Sequence, residues 1–113
     1  MKTIALLLLS AALTFAADIT GKWTFDVSIT AGNGQATFDF QQKGETLTGT
    51  YHGTFGEAPL KGTVKGNKVE FSFGSDAGQV SYSGTLEGDN KISGTCDYGE
   101  QAGKGTFAGE KNK

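Results

Sequence analysis

From Gly21 almost to the end of the chain, apolar residues fall at every second position, the period of a strand with one face buried and the other wet. Trp23, Phe25, Val27 and Ile29 alternate with Thr24, Asp26, Ser28 and Thr30. The same reading turns Ala36, Phe38 and Phe40 inward in a second strand, and Leu47, Gly49, Tyr51 and Gly53 in a third. Leu60, Gly62 and Val64 follow in a fourth, and Val69, Phe71 and Phe73 in a fifth. Val80, Tyr82, Gly84 and Leu86 make the sixth, Ile92, Gly94, Cys96 and Tyr98 the seventh, and Gly103, Gly105 and Phe107 the eighth. No stretch after Gly21 has helical periodicity. The expected class is all-β. Eight short strands joined in order hide their edges most simply as an antiparallel up-and-down meander closed into a barrel, with a two-sheet sandwich as the competing solution.

Composition favours the barrel. The chain has 18 Gly in 113 residues, and only 36% of it is hydrophobic, yet 11% is Phe, Tyr or Trp, so a few large rings must pack among many small residues. Glycine recurs at an inward position in Leu47-Thr-Gly-Thr-Tyr51, Leu60-Lys-Gly-Thr-Val64, Tyr82-Ser-Gly-Thr-Leu86, Ile92-Ser-Gly-Thr-Cys96 and Gly103-Lys-Gly-Thr-Phe107. An inward glycine weakens a strand, and its repetition suits the strong coiling that a small barrel demands. The outward threonines of the repeat, Thr50, Thr63, Thr85, Thr95 and Thr106, fit strand propensity on a wet face.

Residues 1–16 read as a signal peptide: Lys2 is the positive region, Ile4 to Leu13 the apolar core, and Thr14-Phe15-Ala16 the small-residue cleavage site. The expected product is one domain, 17–113, secreted or periplasmic. The apolar run is too short to span a bilayer, so the mature chain carries no membrane span, and no Cys follows the cleavage site to take a lipid. Cys96 is the only cysteine and has no internal partner. The formal net charge is -2, and every cation is a lysine, which argues against nucleic acid as a partner.

The connections divide into two sets. Lys43-Gly44-Glu45, Lys65-Gly66-Asn67 and Gly88-Asp89-Asn90 are tight. Ala31 to Gly34, Thr54 to Ala58, Gly74 to Gly78 and Gly99 to Gly103 are expected to be looser. In a meander these sets lie at opposite ends, and the looser end is where a ligand would enter. Tyr51, Tyr82 and Tyr98 fall in that half, with Phe55, Phe73, Ile29 and Cys96 nearby. Tyr51, Phe55, Phe73, Tyr82 and Tyr98 are therefore the candidate ligand-binding residues. Glu57, Asp76, Asp97 and Glu100 outnumber Lys61 and Lys104 around this end, which favours a small neutral or cationic ligand. The alternative is a ring-filled core and a protein-interaction module, such as a periplasmic inhibitor or envelope-associated factor, acting through Phe55, Glu57 and the loop at Gly99 to Gly103.

Chemistry-bearing motifs are sparse. His52 is the only histidine and points outward, and Cys96 points inward among apolar groups. No metal-ligand spacing, cofactor motif or nucleophile motif is present, so neither a metal, a cofactor nor enzymatic activity is expected.

Two stretches carry a resemblance. Ile19-Thr-Gly-Lys-Trp23 and Leu47-Thr-Gly-Thr-Tyr51 are similar to strands of the avidin and streptavidin family, and Gly21-x-Trp23 resembles the opening of lipocalins. Both are calycin-type barrels: eight antiparallel strands, a ligand in the cup, and the tryptophan packed toward the closed end. The resemblance makes Tyr51 a ligand-site candidate. It does not extend to biotin, because Phe25 and Ile29 stand where the avidin site has an Asn and a Ser, and Trp23 is the only tryptophan.

Overall fold

A computed structural model describes residues 18–76 and 78–112; the expected signal peptide lies outside them. The chain forms β1 (Gly21–Ile29), β2 (Gly32–Lys43), β3 (Thr46–Gly53), β4 (Gly56–Lys65), β5 (Lys68–Ser75), β6 (Gly78–Glu87), β7 (Lys91–Asp97), a helical turn α1 (Gly99–Ala102) and β8 (Lys104–Lys111). Each strand pairs antiparallel with the next, and β1 closes on β8, so the eight strands make a closed barrel in chain order. The expected class and topology hold, and the sandwich is excluded.

The alternation holds as well. Trp23, Phe25, Phe38, Phe40, Leu47, Leu60, Val64, Val69, Val80 and Ile92 are all buried, while the residues that alternate with them along each strand are exposed or half-buried. Phe25 is the hub of the interior, stacked parallel on Phe107 at 4.9 Å and tilted against Phe38 at 4.6 Å. Trp23 and Phe40 lie beneath it, with ring centres 6.1 Å apart. Above it Phe71 stacks on Tyr82 at 4.9 Å, and Tyr51 on Phe73 at 4.2 Å. Rings thus fill the barrel axis from Trp23 to Tyr98.

The repeated glycines make that filling possible in two ways. At Gly49, Gly62, Gly84, Gly94 and Gly105 a Cβ would collide with the carbonyl oxygen of Asp39, Glu70, Ser93, Ser83 and Ser28 respectively, each on the neighbouring strand. The wall coils so sharply there that no side chain fits. Gly84 also lies under a ring, as do Gly53 and Gly109 outside the repeat: a Cβ at these positions would meet Phe107, Tyr51 and Phe25 respectively.

The closed end is built from tight turns and a plug. Gly44, Gly66 and Gly88 take φ of 61°, 60° and 67°, the left-handed geometry such hairpins need. Ile19, fully buried, sits across the base, where its carbonyl accepts the Trp23 Nε1–H at 2.9 Å and its N–H donates to Gln42 Oε1 at 2.9 Å. The Trp23 indole N–H and the Ile19 backbone are thereby both matched at the base of the core.

The opposite end corrects the expected loops. The connections after β1, β3 and β5 are two residues long, and only β7–β8 is extended, by α1. Gly32, Gly34, Gly56, Ala58 and Gly78, expected in loops, are strand residues. Their periodicity is silent because glycine shows no face. Four helical residues are likewise too few to reveal a period. Position 77, within the Gly74 to Gly78 stretch, lies outside the described residues.

What sets this end apart is incomplete pairing. The β2–β3 ladder stops at Thr37↔His52, so Gly32–Ala36 overhangs β3. The β4–β5 ladder stops at Lys61↔Ser72, leaving Gly56–Leu60 and Phe73–Ser75 splayed. Pro59, the only proline in the chain, stands on the splayed stretch with no N–H to offer β5.

Candidate functional site

All five candidate residues meet in one ring cluster. Tyr98 packs against Tyr82 at 5.8 Å and Phe73 at 6.4 Å, and Phe55, at the β3–β4 turn, reaches across the mouth to Tyr98 at 5.4 Å. Tyr51 joins through Phe73, and its hydroxyl accepts the Phe55 N–H at 3.3 Å. The Tyr82 and Tyr98 hydroxyls bond directly to each other. All three phenols are therefore partnered although Tyr51, Tyr82 and Tyr98 are buried.

Among the described residues an apolar pocket of about 110 Å³ opens beside this cluster, between the overhang of β2 and the turn at Thr54 and Phe55. Of the expected residues, Tyr51, Phe55 and Tyr98 line it; Phe73 and Tyr82 pack behind them. The opposite wall is Val27 and Ile29 of β1, with Gly32, Gly34 and Ala36 of β2. The space exists because these last three inward positions carry almost no side chain, whereas Phe38 and Phe40 on the same strand fill the barrel below. Sequence reasoning sought the site in the rings and missed this small-residue side. Its signal is present in the sequence: Gly32, Gly34 and Ala36 precede Phe38 and Phe40 at the same period.

No charged side chain lines the pocket. The acidic groups sit outside it. Glu57 pairs with His52, Oε2 to Nδ1, at 3.0 Å on the outer face, and both side chains are substantially exposed. Asp97 accepts the Gly99 N–H at 2.9 Å and so fixes the start of α1. The Ala102 carbonyl of α1 then accepts the Ala31 N–H at 2.9 Å, which pins the β1–β2 turn above the pocket. A larger, shallow concavity on the outer wall, about 840 Å³ across β4 to β8, is lined by serines, threonines and oppositely charged side chains. No group of three or more His, Cys, Asp or Glu among the described residues is placed to hold a metal ion.

Burial pushes the Tyr82 and Tyr98 phenols well above their ordinary range, and pushes the Cys96 thiol, next to Asp97, up to about 11. A raised native value means that the folded state keeps a proton which the unfolded chain releases. Stability is then full below the ordinary thiol value of 9.0 and falls as pH rises from there toward 11, with the tyrosines adding above 10. The melting temperature should hold steady from neutral pH to about pH 9 and drop beyond it, less steeply in Cys96→Ala. At neutral pH the same thiol should react with a disulfide reagent only on unfolding.

Neither a scan against protein-family models nor a search of curated proteins returned a match to this chain.

Proposed function

We propose that this chain is a secreted or periplasmic binding protein whose ligand presents a compact, uncharged or cationic group to the mouth pocket. The observation that carries the reading is the bare inner face at Gly32, Gly34 and Ala36, set against Val27, Ile29, Tyr51, Phe55 and Tyr98. Elsewhere the interior is packed with rings and branched aliphatics, so a void kept at the rim has a use. The absence of charge in the lining and the acidic surround at Glu57 and Asp76 disfavour anions. The likeness of Gly21-x-Trp23 and Leu47-Thr-Gly-Thr-Tyr51 to calycin-type barrels supports the same end of the barrel as the ligand end, and a calycin-type origin is part of the proposal. A binder rather than a catalyst is the better reading, because His52 lies against Glu57 on the outer face and Cys96 is a buried thiol whose ionisation burial opposes.

The test is a titration with benzyl alcohol, benzylammonium and benzoate, followed by the methyl NMR shifts of Val27 and Ile29. The first two should move both methyl groups, and benzoate should bind roughly fivefold more weakly at low salt. Gly34→Leu should abolish the response: a Cβ at Gly34 has only Thr54 Oγ1 nearby, at 3.8 Å, so the longer side chain can enter the pocket. Unmoved methyl groups, or shifts that persist in Gly34→Leu, would remove the pocket from the proposal. The ring-filled axis supports the second reading, an interaction module with a dry core, and the two readings converge on the exposed edge of β2.

A further inference from the structure

The overhang of β2 is a sheet edge that no strand among the described residues covers; the Thr54 hydroxyl, 3.8 Å from where a Cβ at Gly34 would stand, is the nearest group on its inner face. Ile29↔Gly32 closes the two-residue β1–β2 turn, so in an antiparallel ladder Gly32, Gly34 and Ala36 bond to β1, while Asn33 and Gln35 turn their N–H and C=O groups the other way. The β3–β4 hairpin gives the same parity independently. Its closing pair is Gly53↔Gly56, which turns His52 toward β2, where it meets Thr37. Beyond Thr37 no strand covers Asn33 or Gln35, and among the described residues neither has a backbone partner on that side. Their side chains do not cap the edge either. Asn33 Oδ1 accepts the Ser28 hydroxyl at 2.8 Å, and Gln35 Nε2 donates to Asp26 Oδ1 at 2.9 Å, both across the outer face toward β1.

The second open seam is defended. On β4, Pro59 lacks a donor and Glu57 carries a charge, two of the devices that keep edges from pairing. Gly32–Ala36 has neither proline nor charge. One seam is blunted while the other is left ready to bond.

We infer that the Asn33–Gln35 edge accepts an extended peptide segment of another protein as an added strand, with an apolar side chain of that segment seated in the mouth pocket. This rests on the pocket reading above and names its ligand class. Asn33 and Gln35 are about 6.8 Å apart along the strand, the repeat of bonding residues in an incoming strand. The residue placed opposite Gly34 shares its face and so points into the pocket. A second copy of this chain fits less well, because pairing edge to edge sets Gly34 against Gly34 and leaves the pocket unfilled. The exposed Glu57, Asp76 and Glu100 around the mouth select basic flanks on the guest.

The test uses short peptides with lysines at both ends and threonines around a central leucine, alanine or aspartate, added to the intact chain. The leucine peptide should slow amide hydrogen exchange at Asn33 and Gln35 at least tenfold, and the aspartate peptide should bind at least tenfold more weakly. Gln35→Pro removes an edge donor and keeps the backbone bonds to β1, losing only the side-chain bond to Asp26, and should weaken the leucine peptide by a similar factor, its folding checked by Trp23 emission. If that variant does not fold, the exchange data and the central-residue series on the unaltered chain decide. The inference is overturned if exchange at Asn33 and Gln35 is unmoved by peptide, if aspartate binds as well as leucine, if folded Gln35→Pro binds like the parent, or if protein concentration alone protects the edge. Benzyl alcohol binding without peptide binding would sink the peptide and leave the pocket reading standing; failure of both would sink both.

Discussion

Gly105→Ala should destabilise the barrel by about 3 kcal/mol, near the upper end of what overpacking costs. The added Cβ would collide with the Ser28 carbonyl oxygen and crowd Ile29 Cα on β1, and these are backbone atoms that cannot swing aside. The collision falls on the β1–β8 seam that closes the barrel, at Ile29↔Gly105. For a domain of this size the loss corresponds to a fall in melting temperature of roughly 12 to 24 °C. Gly74→Ala is the control, since a Cβ there has nothing within 4 Å and should change stability by less than about 0.5 kcal/mol. Thermal unfolding of the two variants side by side checks the argument, and equal effects would mean that the inward glycines do not serve to coil the wall.

Phe25→Ala should cost about 3 to 5 kcal/mol. Phe25 is fully buried and has ring neighbours on every side: Trp23, Phe38, Phe40, Phe71, Tyr82 and Phe107. Its ring also lies over Gly109, so truncation opens a void bounded on one side by bare backbone that has no side chain with which to collapse. Against a total stability of about 5 to 15 kcal/mol, the variant should be partly unfolded at moderate urea concentrations where the parent is intact. The emission of Trp23, the single tryptophan, reports the transition directly. Phe55→Ala, at the half-buried rim, should fall well short of that cost while weakening ligand binding, which separates packing from function.

The residues differ in how much of this they disclose in advance. The class, the strand order and the inward set from Trp23 to Phe107 follow from the period of two, because each strand has one wet face. The clustering of Tyr51, Phe55, Phe73, Tyr82 and Tyr98 at one end follows from counting along the meander. The pocket does not follow, since it is a volume left over after the rings have packed, and local pattern carries no volume. The strand character of Gly32–Ala36 was hidden for a related reason: two of its inward positions have no side chain to show a preference. The open seams are the least legible, because they depend on where β2 stops facing β3 and where β4 leaves β5, offsets fixed by the stagger of the whole barrel. Pro59 marks one seam in the sequence, but only the register shows that its missing N–H faces the break.

The β1–β8 closure has a consequence for how the chain reaches this state. Trp23 through Ile29 must wait for Gly105 through Lys111 before the cylinder exists, and those partners are separated by nearly the whole described chain. Contacts of such high sequence separation place folding in the slow range, milliseconds to seconds, typical of all-β domains. Until β8 arrives, the growing sheet has a free margin on β1 and another on its newest strand, each able to template a wrong partner. A ribosome or translocation pore that releases the chain from its N-terminal side first therefore delivers an open, adhesive ribbon. Only when the last pairing strand emerges does one act remove both margins and commit the fold.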